Sequence, residues 1–260
     1  MLKIEQLYDK KILSDFRPQK TTNGFIIRVK RSKYLTFIPS RVNADIAYLS
    51  GTIAGDGSYK VSKRKNVKYP RAVITITNKS KSFLEDLNSR LVKNFRYEGK
   101  IYKYSGKNCY DLQISNRVIF LYFRRIIGLT KDNSKVKIPK SVSTKKLLKF
   151  FIAGIFDTDG YYSRDTFGIM MTGKNYYFLK QVKKQTYQNY KLSFGKIGRN
   201  ILHARDKVYE RVIMRLKSDC RRQFLRTIPL RHEKYGPGRN RTGGFHRVKV
   251  AQNSNNARIL

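Results

Sequence analysis

Two aspartates stand where a solvating charge has little use. Asp56 is the last residue but one of the stretch LSGTIAGDG, from Leu49 to Gly57, and Asp159 that of IAGIFDTDG, from Ile152 to Gly160. Each follows a small-residue, apolar run that reads as a helix, and each precedes a glycine. The two closing glycines are 103 positions apart. A helix C-terminus carries partial negative charge, so a carboxylate there is disfavoured by about 0.3–1 kcal/mol. A single case is ordinary. Two at matching places in a chain short of acids point to a compensating cation. Ser50, Gly51, Ala54 and Gly55 in the first stretch, with Ala153 and Gly154 in the second, strip bulk from the helices. Two backbones can then approach closely, which would bring Asp56 and Asp159 together. Carboxylates so placed repel unless a divalent metal sits between or beside them. Oxygen-only ligation points to Mg²⁺, which keeps several waters and is often shared with phosphate oxygens. Gly57 and Gly160 suit a helix C′ position with positive φ. For either copy alone, tight packing followed by a turn is an equal reading; the duplicated pair favours the metal.

Composition says what such a site would act on. The chain has 260 residues, with 57 Lys and Arg against 17 Asp and Glu, a formal charge of +40. That exceeds what solubility asks and attracts a polyanion, with affinity gained from counterion release. Nucleic acid is the leading partner. An anionic membrane is the weaker one, because no 18-residue apolar run and no signal-peptide core appears. The expectation is a soluble, intracellular protein that is neither secreted nor membrane-bound. Cys109 and Cys220 lie far apart without a CxxC partner, against a disulfide or zinc framework. No nucleophilic triad is apparent, and His203, His232 and His246 are scattered, as phosphate contacts or bystanders.

The elements that must hold the two acids repeat. Residues 1–42 read as an N-terminal extension with one strand-like run in VKRSKYLTFIPS. From Asn43, a candidate N-cap, the order over 43–129 is helix, two strands, helix, two strands, helix. A basic linker covers 130–143, and the same order returns over 144–234, leaving a Gly- and Arg-rich tail over 235–260. The fold class is α+β, built from two pseudo-symmetric αββαββα repeats.

The two Asp-Gly phrases, in this order and at this spacing, resemble the paired signature motifs of single-chain LAGLIDADG homing endonucleases. The first copy departs from the family pattern at Thr52 and Ala54, while the second keeps both acids, Asp157 and Asp159. The resemblance implies motif helices packed at a pseudo-two-fold axis and saddle-shaped antiparallel sheets in the DNA major groove. It implies a monomer that cuts both strands of a long specific site in double-stranded DNA, leaving 3′ overhangs, and that is encoded within an intron or intein. Asp56 and Asp159 would be the catalytic acids and metal ligands, with Gly55 and Thr158 beside them. The cofactor would be Mg²⁺, with Mn²⁺ able to substitute. Asn78, Lys79 and Lys174 would surround the attacking waters; Gly173 lacks a side chain to order one, so unequal half-sites are expected.

Strand alternation then nominates the DNA face. Arg71, Thr75 and Thr77 oppose Ala72, Ile74 and Ile76; Asp111 and Gln113 oppose Tyr110, Leu112 and Ile114; Arg211 and Arg215 oppose Val212, Met214 and Leu216. The full candidate set is Lys60, Lys63, Arg71, Thr75, Thr77, Lys100, Lys103, Gln113, Arg164, Arg211 and Arg215. Arg and Gln read base edges, and Lys mostly anchors phosphates. Two readings compete with the endonuclease: an RNA maturase that helps an intron splice, and a DNA-binding protein without catalysis.

Overall fold

The computed structural model describes residues 16–29, 35–62, 71–104, 108–130, 137–162, 167–172, 176–204, 207–216 and 220–230. The candidates Lys63, Arg164 and Lys174, with Gly173 and the basic tail, lie outside the described residues. The chain divides into two compact units, one of residues 1–131 with 139–154 and the other of 132–138 with 155–260. Among the described residues no helix is long and apolar enough to cross a membrane.

The first unit opens with strands β1 (Phe16–Thr21), β2 (Gly24–Val29) and β3 (Leu35–Pro39), an antiparallel sheet in that order. Sequence reading finds only one strand here. The two-residue loop Thr22-Asn23 joins β1 to β2, with Thr21 opposite Gly24. This sheet is tied to the repeat behind it. Asn116 Nδ2 donates to the buried Thr36 Oγ1 at 2.9 Å, and the Arg96 guanidinium lies 5.4 Å from the Phe37 ring centre.

The first repeat follows in the predicted order. Helix α1 (Ala44–Asp56) is capped by Asn43, whose side chain accepts from the Ile46 amide at 3.0 Å. Every residue from Ile46 to Ile53 is buried, so α1 is a core helix without a solvent stripe. Its two buried hydroxyls bond backward within the helix, Ser50 to the Ile46 carbonyl at 2.6 Å and Thr52 to the Tyr48 carbonyl at 3.1 Å. Strands β4 (Gly57–Ser62) and β5 (Arg71–Asn78), helix α2 (Lys81–Phe95) and strands β6 (Lys100–Lys103) and β7 (Tyr110–Ile114) come next. Helix α3 (Arg117–Leu121) starts at the Asn116 cap and widens into a π turn over Tyr122–Ile127, stopped by Gly128 at φ 90°. The sheet is antiparallel in the order β4-β5-β7-β6. Ile74, Ile76, Leu112 and Ile114 share its buried face; Leu84, Leu87 and Phe95 of α2 and Tyr122 and Phe123 after α3 are equally buried. Phe95 packs edge-on to Tyr122 with ring centres 5.3 Å apart.

Helix α4 (Lys145–Asp159) is continuous, although its residues up to Gly154 belong to the first unit and the rest to the second. The close approach expected of the small residues is present within the first unit. A Cβ on Gly51 would collide with the Phe151 carbonyl oxygen, and one on Gly154 would collide with the Tyr48 carbonyl oxygen and lie 2.7 Å from Thr52 N. Only glycine lets α1 and α4 cross at this distance.

The second unit repeats the plan with β8 (Gly160–Tyr162), β9 (Phe167–Thr172), α5 (Tyr176–Tyr190), β10 (Phe194–Ala204), β11 (Lys207–Leu216) and α6 (Arg221–Thr227). Its sheet order, β8-β9-β11-β10, matches that of the first unit strand for strand. Phe156, Phe194 and Phe224 are buried together, Phe156 and Phe224 with ring centres 4.6 Å apart.

Candidate active site and nucleic-acid interface

Both acids occupy the same kind of joint. Asp56 is the last residue of α1 and Gly57 the first of β4; Asp159 is the last residue of α4 and Gly160 the first of β8. There is no loop between helix and strand. Gly57 corrects the expectation of a left-handed cap, since its backbone is extended at φ −72° and ψ 135°. Neither it nor Gly160 is among the positive-φ glycines. The reason for glycine is space. A Cβ on Gly57 would strike the Ile53 carbonyl oxygen, and one on Gly160 would strike the Phe156 carbonyl oxygen. The strand leaves so tightly against the last helical turn that a side chain would push the acid out of position. Asp56 and Asp159 are both partly exposed, and the last turns of α1 and α4 carry no basic residue.

The donor set at these joints is all oxygen. The Gly57 amide donates to the Ile53 carbonyl, so the carbonyls of Ala54 and Gly55 fall past the end of the helix ladder. Among the described residues no cluster of three or more His, Cys, Asp or Glu could hold a metal alone. Few protein oxygens per site suits a hard cation that keeps its waters and takes further ligands from phosphate.

The register of the first unit's sheet defines its outer face. Lys60, Val73 and Ser58, Thr75 and Gln113 are paired across β4, β5 and β7; Thr77 faces Asp111, and Lys100 faces Gln113. Lys60, Arg71, Thr77 and Lys100 are exposed on this face. Thr77 Oγ1 donates to Asp111 Oδ1 at 2.6 Å, and Arg71 Nη2 donates to Ser115 Oγ at 3.1 Å and Gln113 Oε1 at 3.4 Å. The face is thus a pre-bonded polar surface with cations at its margins. Asp111 and Tyr102, paired across β7 and β6, belong to it and were not among the predicted contacts. Tyr102 is 46% exposed. Alternation already placed Asp111 there; only the hairpin register adds Tyr102.

Three candidates change standing. Thr75 points to the expected face but is only 8% exposed, covered by its neighbours on β4 and β7, and its carbonyl accepts from Ser58 Oγ at 3.4 Å. A short side chain in a central strand is shadowed by its neighbours. Lys103 is exposed but pairs with Tyr110, in phase with Ile101 and on the face opposite Lys100. Asn78 has the phase of Ile74 and Ile76 and is 4% exposed; its Oδ1 accepts from the Ser80 amide at 3.0 Å, while its Nδ2 has no hydrogen-bond partner. Asn78 therefore shapes the turn into α2, and the exposed Lys79 is left as the candidate beside the joint.

In the second unit, Arg211 pairs with Thr172 and Asn200, and Arg215 pairs with Gly168. Arg215 is exposed. These are the positions of β11 that correspond to β7 in the first sheet.

A different acid shows how this protein treats a structural carboxylate. Asp45, in the first turn of α1, accepts from Arg90 Nη1 and from Lys93 Nζ, each at 2.7 Å. Arg90 also donates to Asp86 at 3.0 Å and stacks 4.4 Å from the Tyr48 ring centre. Burial alone would push the Asp45 carboxyl up. The Lys93 hydrogen bond and the charges of Arg90 and Lys93 outweigh it and hold the group below its ordinary range.

Comparison with known proteins agrees with this geometry. Residues 43–128 match the family model of the LAGLIDADG-like domain. The fold resembles the homing endonuclease I-DmoI in complex with DNA and Mn, at TM-score 0.52 and 22% identity over 71% of this chain and 96% of that one. I-DmoI in complex with DNA and Ca gives TM-score 0.53 at 22% identity, covering 74% and 95%. Among curated proteins, a glutamine–fructose-6-phosphate aminotransferase of Methanocaldococcus jannaschii is 28% identical over 150 residues, 56% of this chain. That match spans only 13% of the aminotransferase. The chain therefore carries a LAGLIDADG-like domain in its first repeat and has the I-DmoI homing endonuclease fold.

Proposed function

We propose that this protein is a site-specific endonuclease that hydrolyses one phosphodiester in each strand of double-stranded DNA, with a divalent cation as cofactor. The observation that carries the reading is the duplicated joint: an acid ending a helix, a sterically required glycine opening an edge strand, and the same sheet order behind each. A duplex offers two scissile phosphates, and the chain offers two such acids. One chain then supplies both, so the active form is a monomer. Such work belongs inside the cell.

The residues present divide the work. Asp56 and Asp159, with backbone oxygens of Gly55 and Thr158, would hold Mg²⁺ or Mn²⁺. When bound, the cation supplies charge stabilisation at the phosphate and acidifies the attacking water. Lys79 and, in the second repeat, Lys174 place positive charge beside the reacting phosphate and orient that water. Lys60, Lys63, Lys100 and Arg164 anchor phosphates and fix the register of the duplex. Arg71, Thr77, Asp111, Gln113, Arg211 and Arg215 read base edges, an acid such as Asp111 being suited to a cytosine amino group. The family resemblance implies a long site. The family resemblance adds staggered 3′ ends.

The test is to digest a large randomised duplex library with the purified chain and Mg²⁺ and to sequence the ends, with Asp159→Asn in parallel. Uniform staggered 3′ ends at one long site, lost in the variant, support the proposal. Binding without specific ends would move the assignment to a DNA-binding protein or, where structured RNA is preferred, to a splicing cofactor.

A further inference from the structure

Asp111 is an acid on a face built of cations. The outer side of the first unit's sheet exposes Lys60, Arg71 and Lys100, in a chain of charge +40. A carboxylate there repels the phosphates that the rest of the face attracts, so it lowers affinity for any polyanion. Other acids of this unit are neutralised: Asp45 is held by Arg90 and Lys93, and Asp86 by Arg90. Asp111 is treated differently. Among the described residues its carboxylate is paired with no cation, and its one side-chain hydrogen bond comes from the Thr77 hydroxyl, at 2.6 Å. Arg71 of the same face is turned instead to Ser115 and Gln113, and the Ser115 amide is itself fixed by the Tyr97 hydroxyl at 3.0 Å.

A neutral hydroxyl orients the carboxylate without cancelling its charge. What remains is a positioned group that can only accept hydrogen bonds. It stands two strands over from β4, about 10 Å across the sheet from the joint, too far to share a cation with Asp56. The major groove sorts bases for such a group. Cytosine offers an amino donor; adenine sets its amino group beside the N7 acceptor; guanine offers acceptors, and thymine an acceptor and a methyl. An acceptor-only side chain therefore takes cytosine first and rejects guanine.

The second sheet does not repeat this demand. Counted from the joints, Gly57 lies opposite Ile76, which faces Leu112, and Gly160 lies opposite Ile169, which faces Met214. One row on, Thr77 and Asp111 of the first sheet match Met170 and Ile213 of the second. An isoleucine side chain has no atom that could accept from an amino group.

Given the endonuclease reading above, on which this rests, we propose that Asp111 determines one base of the target: it selects cytosine and excludes guanine in the half-site under the first sheet. Thr77 is its positioning residue, since the threonine's hydroxyl hydrogen is spent on the carboxylate and not on a base. The matched position of the other half-site, under Ile213, carries no such requirement, so the target departs from a palindrome there.

The full chain, Asp111→Asn, Asp111→Ile and Thr77→Val are each bound, without divalent metal, to a randomised duplex library, and the retained duplexes are sequenced. The parent should show a position at which cytosine is enriched over guanine by roughly tenfold or more. Asp111→Asn keeps the size of the side chain and an acceptor for Thr77 but adds a donor, so that position alone should turn to adenine. Asp111→Ile, which copies the second sheet, should erase the cytosine preference. Thr77→Val should leave cytosine first at the same position with a smaller margin, an effect that general loss of stability would spread over every position. Melting curves accompany each protein, and the isosteric Asn variant carries the test should Asp111→Ile fail to fold. A consensus in which no position changes on Asp111→Asn, or whose changed position favoured guanine or thymine in the parent, overturns the inference and leaves the endonuclease reading standing. No consensus from the parent chain overturns both.

Discussion

Helix α1 carries an aspartate at each end, and the two live under opposite rules. Asp45, in its first turn, sits where the helix dipole favours an anion, and it is held by Arg90 and Lys93 of α2. Asp56, in its last turn, sits where the dipole opposes an anion and where the turn itself supplies no base. The first acid fastens two helices. The second keeps its carboxylate at a joint whose geometry is enforced by Gly57 and is reproduced at Asp159 and Gly160. Residue type is the same at both ends; surroundings separate the ion-paired acid from the one proposed to hold a cation.

The sharpest way to test that difference is to neutralise each acid in turn. Asp56→Asn should lower cleavage of the cognate duplex by at least 10³-fold, as expected when a metal ligand worth several kcal/mol is lost. DNA affinity in the absence of turnover should be retained. Stability should change by no more than about 0.5 kcal/mol, or rise slightly, since an anion leaves a helix C-terminus. A variant that cuts normally would place Asp56 among the structural acids and erase the contrast. The next largest effect lies midway along the helix. Gly51→Ala gains about 1 kcal/mol of helix propensity but forces a methyl into the Phe151 carbonyl, an overpacking cost of about 3 kcal/mol. Denaturant melts should show a net loss of about 2 kcal/mol, and an unchanged midpoint would mean that the crossing of α1 and α4 is loose.

Much of this arrangement was legible before any coordinates. The duplicated order, the Asn43 cap and the small residues at the crossing follow from local periodicity and size, and the structure has them. What was not legible depends on neighbours distant in sequence. Thr75 alternates correctly with Ile74 and Ile76, yet its burial is set by β4 and β7 on either side. Lys103 stands three positions from Lys100 and Asn78 two from Ile76, so alternation within each strand already turns both away from the outer face, a phase that selection by residue type passes over. Asp-Gly reads equally well as a left-handed cap or as a direct passage from helix to strand, and only the extended Gly57 separates them. The N-terminal sheet escaped because its strands mix cations with apolar residues and lack a sustained period.

The smallest expected effect, and the one with a distinctive pH signature, is at the other end of α1. Asp45→Asn removes the charge shared by Arg90 and Lys93 but keeps the side chain's size. The pair is partly solvent-screened, so a loss of about 1–2 kcal/mol at neutral pH is expected, with cleavage near the parent rate. The pH dependence has a definite sign. The folded carboxyl titrates below its ordinary value of 3.8, so the unfolded chain binds the proton more tightly. The stabilisation is complete above 3.8 and disappears as pH falls through the lower folded value. Parent and variant melts should therefore differ most at neutral pH and converge in acid. A gap that stays constant down to the lowest pH at which the protein folds would mean that Asp45 acts through shape and hydrogen bonding instead of charge. The two ends of α1 would then differ less than their ion pairs suggest.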